Sequence, residues 1–197
     1  MIRSFAERIS FFYIKKGYIK SSDKEIYDYC FEILVSTVIN FVTVLVIAML
    51  CNMFVETIFF LVGFMAIRAT AGGYHASNHF TCWVILVLAY MSYVAVLRFG
   101  IFDDINHFTL IINTISFVIV EVISPVEDKN KPFTKDEDKF LKKKSHLSLG
   151  FIFLLSIFLD YQFNMTCYAI SLALGMFVVS ISLVAGKIKN RFIEKNR

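Results

Sequence analysis

Long apolar segments alternate with short polar segments along most of this chain. Residues 29–67 contain only two charged residues, Glu32 and Glu56. A segment of this length can form two helices of ~20 residues that each cross a bilayer, joined by a tight turn at residues 51–53. Further apolar segments follow at residues 80–97, 107–124, 147–160 and 165–185, of which 147–160 is the shortest. The pattern therefore predicts six transmembrane helices.

The amino-terminal segment has a different pattern. Apolar side chains recur at helical spacing over residues 2–18, and basic side chains lie mostly on the other faces. This is typical of an amphipathic helix in the membrane interface, although a loosely ordered basic segment is an alternative. Ser22 and Glu25 have capping-box spacing, which predicts that a new helix starts there. The predicted fold is an all-α polytopic membrane protein with six transmembrane helices and an amino-terminal amphipathic interfacial helix.

Composition supports a membrane-embedded chain. Hydrophobic residues make up 57% of it, compared with ~45–50% in soluble domains. We expect a single membrane-embedded domain over residues 1–197, in which residues 1–28 are interfacial or cytoplasmic, residues 29–186 form the six-helix bundle, and residues 187–197 form a basic cytoplasmic tail. The four cysteines include no CxxC pair, so no disulfide framework is predicted.

The distribution of basic residues predicts the orientation of the helices. With a cytoplasmic amino terminus and six spans, Arg98 is the one residue among the 20 lysines and arginines that lies in an outside turn. Cytoplasmic loops carry an excess of Lys and Arg, which favours this arrangement. We therefore expect a multi-pass protein of the cell membrane with both termini in the cytoplasm and a charged cytoplasmic loop at residues 125–146.

The polar segment at residues 68–83 contains the candidate chemistry. It holds the only Gly-Gly pair, Gly72 and Gly73, followed by His75 and Cys82. On one unbroken helix, His75 and Cys82 would stand ~10.5 Å apart along the axis. Proton transfer requires ~2.6–3.2 Å or one bridging water. A working pair therefore requires a break in the helix, and paired glycines permit one.

The predicted third transmembrane helix begins close to the cysteine. Ser77 or Asn78 is a suitable N-cap for it. Cys82 would then lie near the first turn, where free amides and the helix dipole favour a thiolate. His75, on the folded-back loop, would accept the thiol proton. This predicts a cysteine nucleophile with an adjacent base, in an active site at the cytoplasmic face.

Other interpretations remain open from the residues alone. In one, the glycines simply join two helices, His75 is a surface residue and Cys82 is a packing residue. In another, His75, His79 and Cys82 are zinc ligands, although no fourth ligand is nearby. A non-catalytic small transporter or export factor is a third alternative. Glu32 and Glu56 lie near predicted helix ends, which weakens the case for transport.

The same residues resemble a known family. Arg68, the sequence Gly-Gly-Tyr-His-Ala at 72–76, and Cys82 seven residues after the histidine are similar to the accessory gene regulator protein B (AgrB) family. Its members are integral membrane cysteine endopeptidases of Gram-positive quorum sensing. The resemblance extends over nearly the whole chain, including the basic amino terminus and the charged loop at 125–146. It implies that His75 and Cys82 form the catalytic dyad.

The resemblance also implies roles for neighbouring residues. Arg68 and Gly73, with Gly72 beside it, match motif positions that shape the site. Glu32 aligns with a polar family position of less defined role. The alternative for Glu32 is a carboxylate that reaches the cytoplasmic boundary, although an ionisable group in a span is a functional candidate by default. Asn78 lies near the dyad, but the sequence identifies no residue that orients the histidine.

The reaction implied by the resemblance is cleavage of an AgrD-like propeptide on the inner leaflet, followed by closure of a thiolactone or lactone ring. Lys142, Lys143 and Lys144 are candidates to hold an acidic propeptide tail. Alternatively, these lysines set the topology and bind anionic lipid. The predicted partners are the propeptide and the lipid bilayer, and a homodimer is compatible with the sequence. We predict no cofactor, no metal and no nucleic-acid partner.

Overall fold

The computed structural model describes residues 2–74, 78–100, 107–127 and 133–195. Within these ranges the chain forms seven α-helices and no β-strand. The helices are α1 (Ile2–Lys15), α2 (Lys24–Leu50), α3 (Phe54–Ala71), α4 (His79–Arg98), α5 (Phe108–Ile123), α6 (Lys135–Phe163) and α7 (Thr166–Lys195), and a short 3-10 helix at Ser21–Asp23 precedes α2. The predicted all-α fold is confirmed over these ranges.

Five of the helices are long and apolar enough to cross a membrane, namely α2, α3, α4, α6 and α7. The turn predicted at residues 51–53 is confirmed, because α2 ends at Leu50 and α3 begins at Phe54. α5 has 16 residues, and a helix of that length extends only ~24 Å across a hydrocarbon core of ~30 Å. The count of six spans and the interfacial location of α1 therefore stay predictions.

The start of α2 differs in detail from the sequence prediction. A helix does begin in this region, but Ser22 and Glu25 do not form the expected capping box. Ser22 Oγ instead donates to Asp23 Oδ1 at 2.8 Å, and no side chain caps α2. The 3-10 helix that precedes α2 is the local reason, because its tighter turn carries Ser22 away from the N-cap position.

The charged loop expected at residues 125–146 is helical in its second half. α6 begins at Lys135, and a capping box joins Thr134 to Glu137, with Thr134 N donating to Glu137 Oε2 at 2.9 Å. Charged residues are good helix formers when they are exposed, so a high density of charge does not indicate a loop. The predicted basic tail is likewise helical as far as Lys195, because α7 continues into it.

α7 is the central helix of the bundle and contacts α3, α5 and α6. The buried core on these helices consists of apolar side chains, among them Ile67, Val120, Leu149, Ile152, Leu172, Met176, Val179 and Leu183. A second cluster joins α2, α3 and α4 around Phe60, Tyr90 and Tyr93. The phenol of Tyr90 hydrogen-bonds to Thr57 Oγ1 at 2.6 Å, and the phenol of Tyr93 to Ser171 Oγ at 3.0 Å. Lipid offers no such partners, so these polar groups are satisfied within the bundle.

Two glycines allow the backbones of α3 and α7 to approach closely. A Cβ atom added to Gly63 would overlap the backbone of Leu172, and one added to Gly175 would overlap the backbone of Phe60 and lie 2.8 Å from Phe64 N. Small residues at helix interfaces are typical of membrane bundles, where close packing replaces the hydrophobic effect as the source of association.

We expect Gly175→Ala to lower the melting temperature of the protein in detergent. The added methyl group meets backbone rather than a movable side chain, and overpacking of this kind costs ~1–3 kcal/mol. Gly150→Ala is the matched control, because an added Cβ there has no neighbour within 4 Å. Differential scanning fluorimetry of the two variants measures the effect. Equal melting temperatures would contradict the close packing of α3 on α7.

One end of the bundle brings together the parts of the chain on which the candidate site depends. Residue pairs join the end of α3 to the segment after α5 (Gly72 with Val126), α7 to the segment after α3 (Ser182 with Tyr74) and α2 to the start of α4 (Glu32 with His79). At the opposite end, the side chain of Arg98 donates to Cys51 O. The described residues of the candidate site that make these contacts therefore lie at a single end of the bundle.

Candidate functional site

The segment that follows α3 is fixed to two other parts of the fold. Ala71 O, at the end of α3, accepts a hydrogen bond from Val126 N at 2.8 Å. Tyr74 N donates to Ser182 O at 2.9 Å and to Ser182 Oγ at 3.1 Å. Residues 72–74 are therefore held between α7 and the chain that leaves α5.

Arg68 is on the last turn of α3 and holds the same segment from its other side. Its Nη1 atom donates to Gly72 O and, at 3.0 Å, to Ser182 Oγ, and its Nη2 atom donates to Tyr74 O at 2.7 Å. A guanidinium presents several donors in a fixed plane, which suits it to binding carbonyl groups of a tight turn. The structure thus joins Arg68, Gly72, Tyr74 and Ser182 in one hydrogen-bond network.

The helix break predicted at the paired glycines is confirmed. Gly72 has a φ of +71° and Gly73 a φ of +129°, a region that L side chains rarely adopt. A Cβ on Gly72 would overlap the carbonyl of Val126, and one on Gly73 would overlap the guanidinium of Arg68. Gly186 on α7 allows the same approach from the opposite side, because a Cβ there would lie 2.9 Å from Tyr74 N.

Cys82 lies in the first turn of α4 and is half-buried. Asn78, one of the two N-caps that the sequence predicts, caps this helix, and its Oδ1 atom accepts from Thr81 N at 2.7 Å. Cys82 N donates to Asn78 O at 3.2 Å. Cys82 therefore lies at the amino-terminal end of α4.

Glu32 on α2 contacts the first residue of α4. Its Oε1 atom lies 2.9 Å from His79 Nε2. His79 is three residues before Cys82, so the two share a helix face. One turn further along α4, Trp83 Nε1 donates to Thr43 Oγ1 at 3.1 Å. Two polar contacts therefore join the start of α4 to α2. The sequence singled out Glu32 and His79 separately and did not predict that they pair.

His75 and Ser77 lie outside the described residues, so the separation of His75 from Cys82 stays a prediction. The structure does fix the residues on either side, since Tyr74 is bound to α7 and Asn78 caps α4. Among the described residues, no group of three or more His, Cys, Asp and Glu side chains is arranged to hold a metal ion.

The three candidate lysines lie in the third turn of α6, and all three are exposed. Lys144 Nζ lies 4.4 Å from the centroid of the Phe140 ring, within cation–π distance. The contact with Phe140 therefore distinguishes Lys144 from Lys142 and Lys143, a difference that the sequence does not reveal.

Three residues of this region were missed by sequence analysis: Val126, Ser182 and Gly186. Ser182 and Gly186 are four apart on an apolar helix, a spacing of small residues that permits close approach of another backbone. That pattern was a usable signal for a contact at this position of α7. No local pattern identifies Val126 as the partner of Ala71 and Gly72, because the contact joins segments more than 50 residues apart.

Comparison with known proteins gives consistent matches. Residues 6–183 match the family described as accessory gene regulator B. A putative AgrB-like protein of Clostridium perfringens (strain SM101) is 28% identical over 148 residues, covering 71% of this chain and 69% of that protein. Accessory gene regulator protein B of Staphylococcus aureus (strain JH9) is 30% identical over 149 residues, covering 74% of this chain and 75% of that protein. Solved structures gave no significant match.

The fold and the site define a polytopic helical membrane protein with a half-buried cysteine at the capped start of one helix. The family match covers most of the chain, and the chain therefore belongs to the accessory gene regulator B (AgrB) family. This membership supports a role in accessory gene regulation and quorum sensing.

Proposed function

We propose that this protein is a membrane cysteine endopeptidase that cleaves a short AgrD-like propeptide and closes its product into a thiolactone or lactone. The observation that carries the proposal is the position of Cys82 in the capped first turn of α4, at the same end of the bundle as the fixed segment that leads into His75. A thiol at a helix amino terminus with a nearby base is the arrangement of a cysteine nucleophile.

The proposed reaction begins with transfer of the Cys82 proton to His75. The thiolate attacks a carbonyl carbon near the carboxyl end of the propeptide, and the C–N bond breaks. His75 gives the proton to the leaving amine, which departs with the tail fragment. A thiol or hydroxyl of the same propeptide then attacks the thioester, loses its proton, and releases the ring. The Cys82 thiol re-forms with that proton.

Exclusion of water decides between ring closure and hydrolysis. Exchange of one thioester for another is nearly isoenergetic, whereas hydrolysis of the acyl-enzyme would discard the activated carbonyl. Phe80 and Trp83 flank the cysteine in sequence, and their rings stack with centroids 6.0 Å apart. We propose that these rings and the adjoining lipid keep water from the acyl-enzyme.

The remaining candidate residues are proposed to hold this geometry. Arg68, Gly72 and Gly73 shape the segment before His75, through the network around Tyr74 O. Asn78 caps the helix of the nucleophile. Glu32, through its contact with His79, holds the first turn of α4 against α2.

The proposed orientation has both termini and the active site on the cytoplasmic side of the cell membrane. It follows from the excess of Lys and Arg in the amino-terminal segment, in residues 125–146 and at the end of α7. The bundle end that carries Cys82 also carries these segments. A propeptide that lies on the inner leaflet would then meet Cys82 at the lipid–water boundary.

Trapping the acyl-enzyme tests the function directly. The purified protein is reconstituted in vesicles with a propeptide whose ring-closing Cys or Ser is replaced by Ala, so that the acyl group cannot leave by cyclisation. We expect a propeptide adduct on Cys82 in peptide mass spectra, removed by hydroxylamine as a thioester is. Release of the tail fragment without any adduct on Cys82 would contradict a thioester mechanism.

Exposed lysines on α6 are expected to contribute to substrate binding. Replacing both Lys142 and Lys143 by Gln should raise KM for a propeptide with an acidic tail about three- to tenfold, because solvent-exposed ion pairs contribute ~0.2–1 kcal/mol each. Added salt should mimic the change. Lys144→Gln is the control, since Lys144 contacts Phe140, and should change KM less. Altered membrane insertion with unchanged KM would assign these lysines to topology alone.

A further inference from the structure

Tyr74, the residue that precedes His75, is held by hydrogen bonds at both of its backbone polar groups. Tyr74 N–H donates to the backbone and side-chain oxygens of Ser182, at 2.9 and 3.1 Å. Tyr74 O accepts from Arg68 Nη2 at 2.7 Å. The carbonyl carbon of Tyr74 is bonded to the His75 nitrogen, so these contacts determine where the backbone of His75 begins.

The hydroxyl of Ser182 links the two contacts. Its Oγ atom accepts from Tyr74 N and, at 3.0 Å, from Arg68 Nη1, whose guanidinium also holds the Tyr74 carbonyl. A hydroxyl oxygen has two lone pairs, and the two donors account for both. Ser182 therefore orients the arginine and the tyrosine backbone together.

Gly186, one turn beyond Ser182 on α7, permits close approach of this helix to the segment before His75. Gly186 is buried, and a Cβ there would lie 3.0 Å from the carbonyl carbon of Gly73 and 3.2 Å from Val126 Cγ1. The ring of Tyr74 also lies beneath Lys189, whose Nζ is 5.1 Å from the ring centroid. The last helix thus contacts the segment before His75 with its backbone and its side chains.

We propose that Ser182 is a positioning residue for His75. Acting through Tyr74 and Arg68, it holds the His75 backbone where the imidazole can take the proton of Cys82. This inference rests on the proposed peptidase function and adds a requirement that the known motif at residues 68–82 does not contain. α7 contributes to the rate of the reaction although it carries neither member of the dyad.

Ser182→Ala tests the inference in a background where Cys30, Cys51 and Cys167 are replaced by serine. We expect kcat for propeptide cleavage to fall about tenfold, the size expected for losing a hydrogen bond to a charged group, with KM unchanged. The rate of Cys82 alkylation by iodoacetamide at pH 7, divided by the rate at pH 10, should fall by a similar factor. Cysteine thiols of ordinary pKa are ionised at pH 10 in any case, so the ratio isolates the contribution of a base at pH 7.

Two further variants separate positioning from stability. Ser180→Ala makes the same change on the same helix. Among the described contacts, the Ser180 hydroxyl donates only to Phe177 O of its own helix. This variant should therefore leave kcat and the alkylation ratio unchanged. Ser182→Thr keeps the hydroxyl and should recover most of the kcat. If Ser182→Ala fails to fold, Ser182→Cys, a weaker acceptor of similar size, should show the same losses, with alkylation of Cys82 followed on its own peptide by mass spectrometry because the introduced cysteine also reacts.

The possible failures are distinguishable. Wild-type kcat and a wild-type alkylation ratio in Ser182→Ala, with Cys82→Ala inactive, would overturn the role of Ser182 and leave the peptidase proposal intact. A fall in kcat with an unchanged alkylation ratio would also overturn it, because loss of folded protein lowers kcat without affecting proton transfer from Cys82. Cleavage that persists in Cys82→Ala would instead contradict the proposed peptidase function itself.

Discussion

Cys82→Ala is expected to abolish propeptide cleavage while the protein still inserts in the membrane. Removal of a nucleophile that forms a covalent intermediate typically lowers the rate by ~10⁴-fold or more. The side chain is half-buried in the first turn of α4, and alanine is a good helix former there, so the fold should be retained. Cleavage in reconstituted vesicles, followed by mass spectrometry of the tail fragment, measures the effect.

Cys30→Ala is the matched control for this change. Cys30 lies on α2 two residues before Glu32, so it is a free cysteine at the same end of the bundle. It should leave cleavage close to wild type. Cys82→Ser should be nearly as inactive as the alanine variant, since a hydroxyl ionises far less readily than a thiol. Cleavage by Cys82→Ala at a rate similar to that of Cys30→Ala would show that another group is the nucleophile.

The helices were predictable because their signals are local. Lengths of apolar sequence define the bilayer-crossing segments, and the turn at residues 51–53 follows from a single interruption in one of them. The break at Gly72 and the N-cap at Asn78 are also local, because each depends on the conformational preferences of one or two residues. Every one of these features could be predicted without knowledge of neighbouring helices.

The contacts that fix the site were not predictable in the same way. Ser182 and Tyr74 are 108 residues apart, and Glu32 and His79 are 47 apart. In a membrane protein, a helix face that contacts protein and a face that contacts lipid are both apolar, so periodicity does not distinguish them. The start of α6 at Thr134 was missed for a different reason, because dense charge was interpreted as a loop although it also favours an exposed helix.

The two members of the proposed dyad are held by different parts of the fold. The segment before His75 is bound to α7 through Ser182 and to α3 through Arg68. The helix that carries Cys82 is joined to α2 through the Glu32–His79 and Thr43–Trp83 contacts. We therefore expect the separation of imidazole and sulfur in the proposed dyad to depend on how α2 and α7 are arranged around α3. A substitution at either set of contacts should lower the rate of cleavage, although the substituted residue does not contact the substrate.

Gly72→Ala is expected to lower cleavage about 100-fold and to reduce the melting temperature. The residue has a φ of +71°, and a Cβ there would overlap the carbonyl of Val126, which belongs to the backbone. A non-glycine residue held at this positive φ costs ~1–3 kcal/mol and overpacking a further ~1–3 kcal/mol. About 3 kcal/mol corresponds to roughly a hundredfold change in rate. Relief of the overlap must displace either residue 126 or the segment that leads into His75.

Gly17→Ala separates the two causes of this loss. Gly17 has a similar φ of +76°, but an added Cβ there has no neighbour within 4 Å. It should therefore show the strain alone, as a modest fall in melting temperature with cleavage near wild type. Cleavage assays and melting curves of both variants measure the difference. If Gly72→Ala cleaves as well as Gly17→Ala, the contact between residues 72 and 126 does not hold the segment before His75, and the base must be positioned by other contacts.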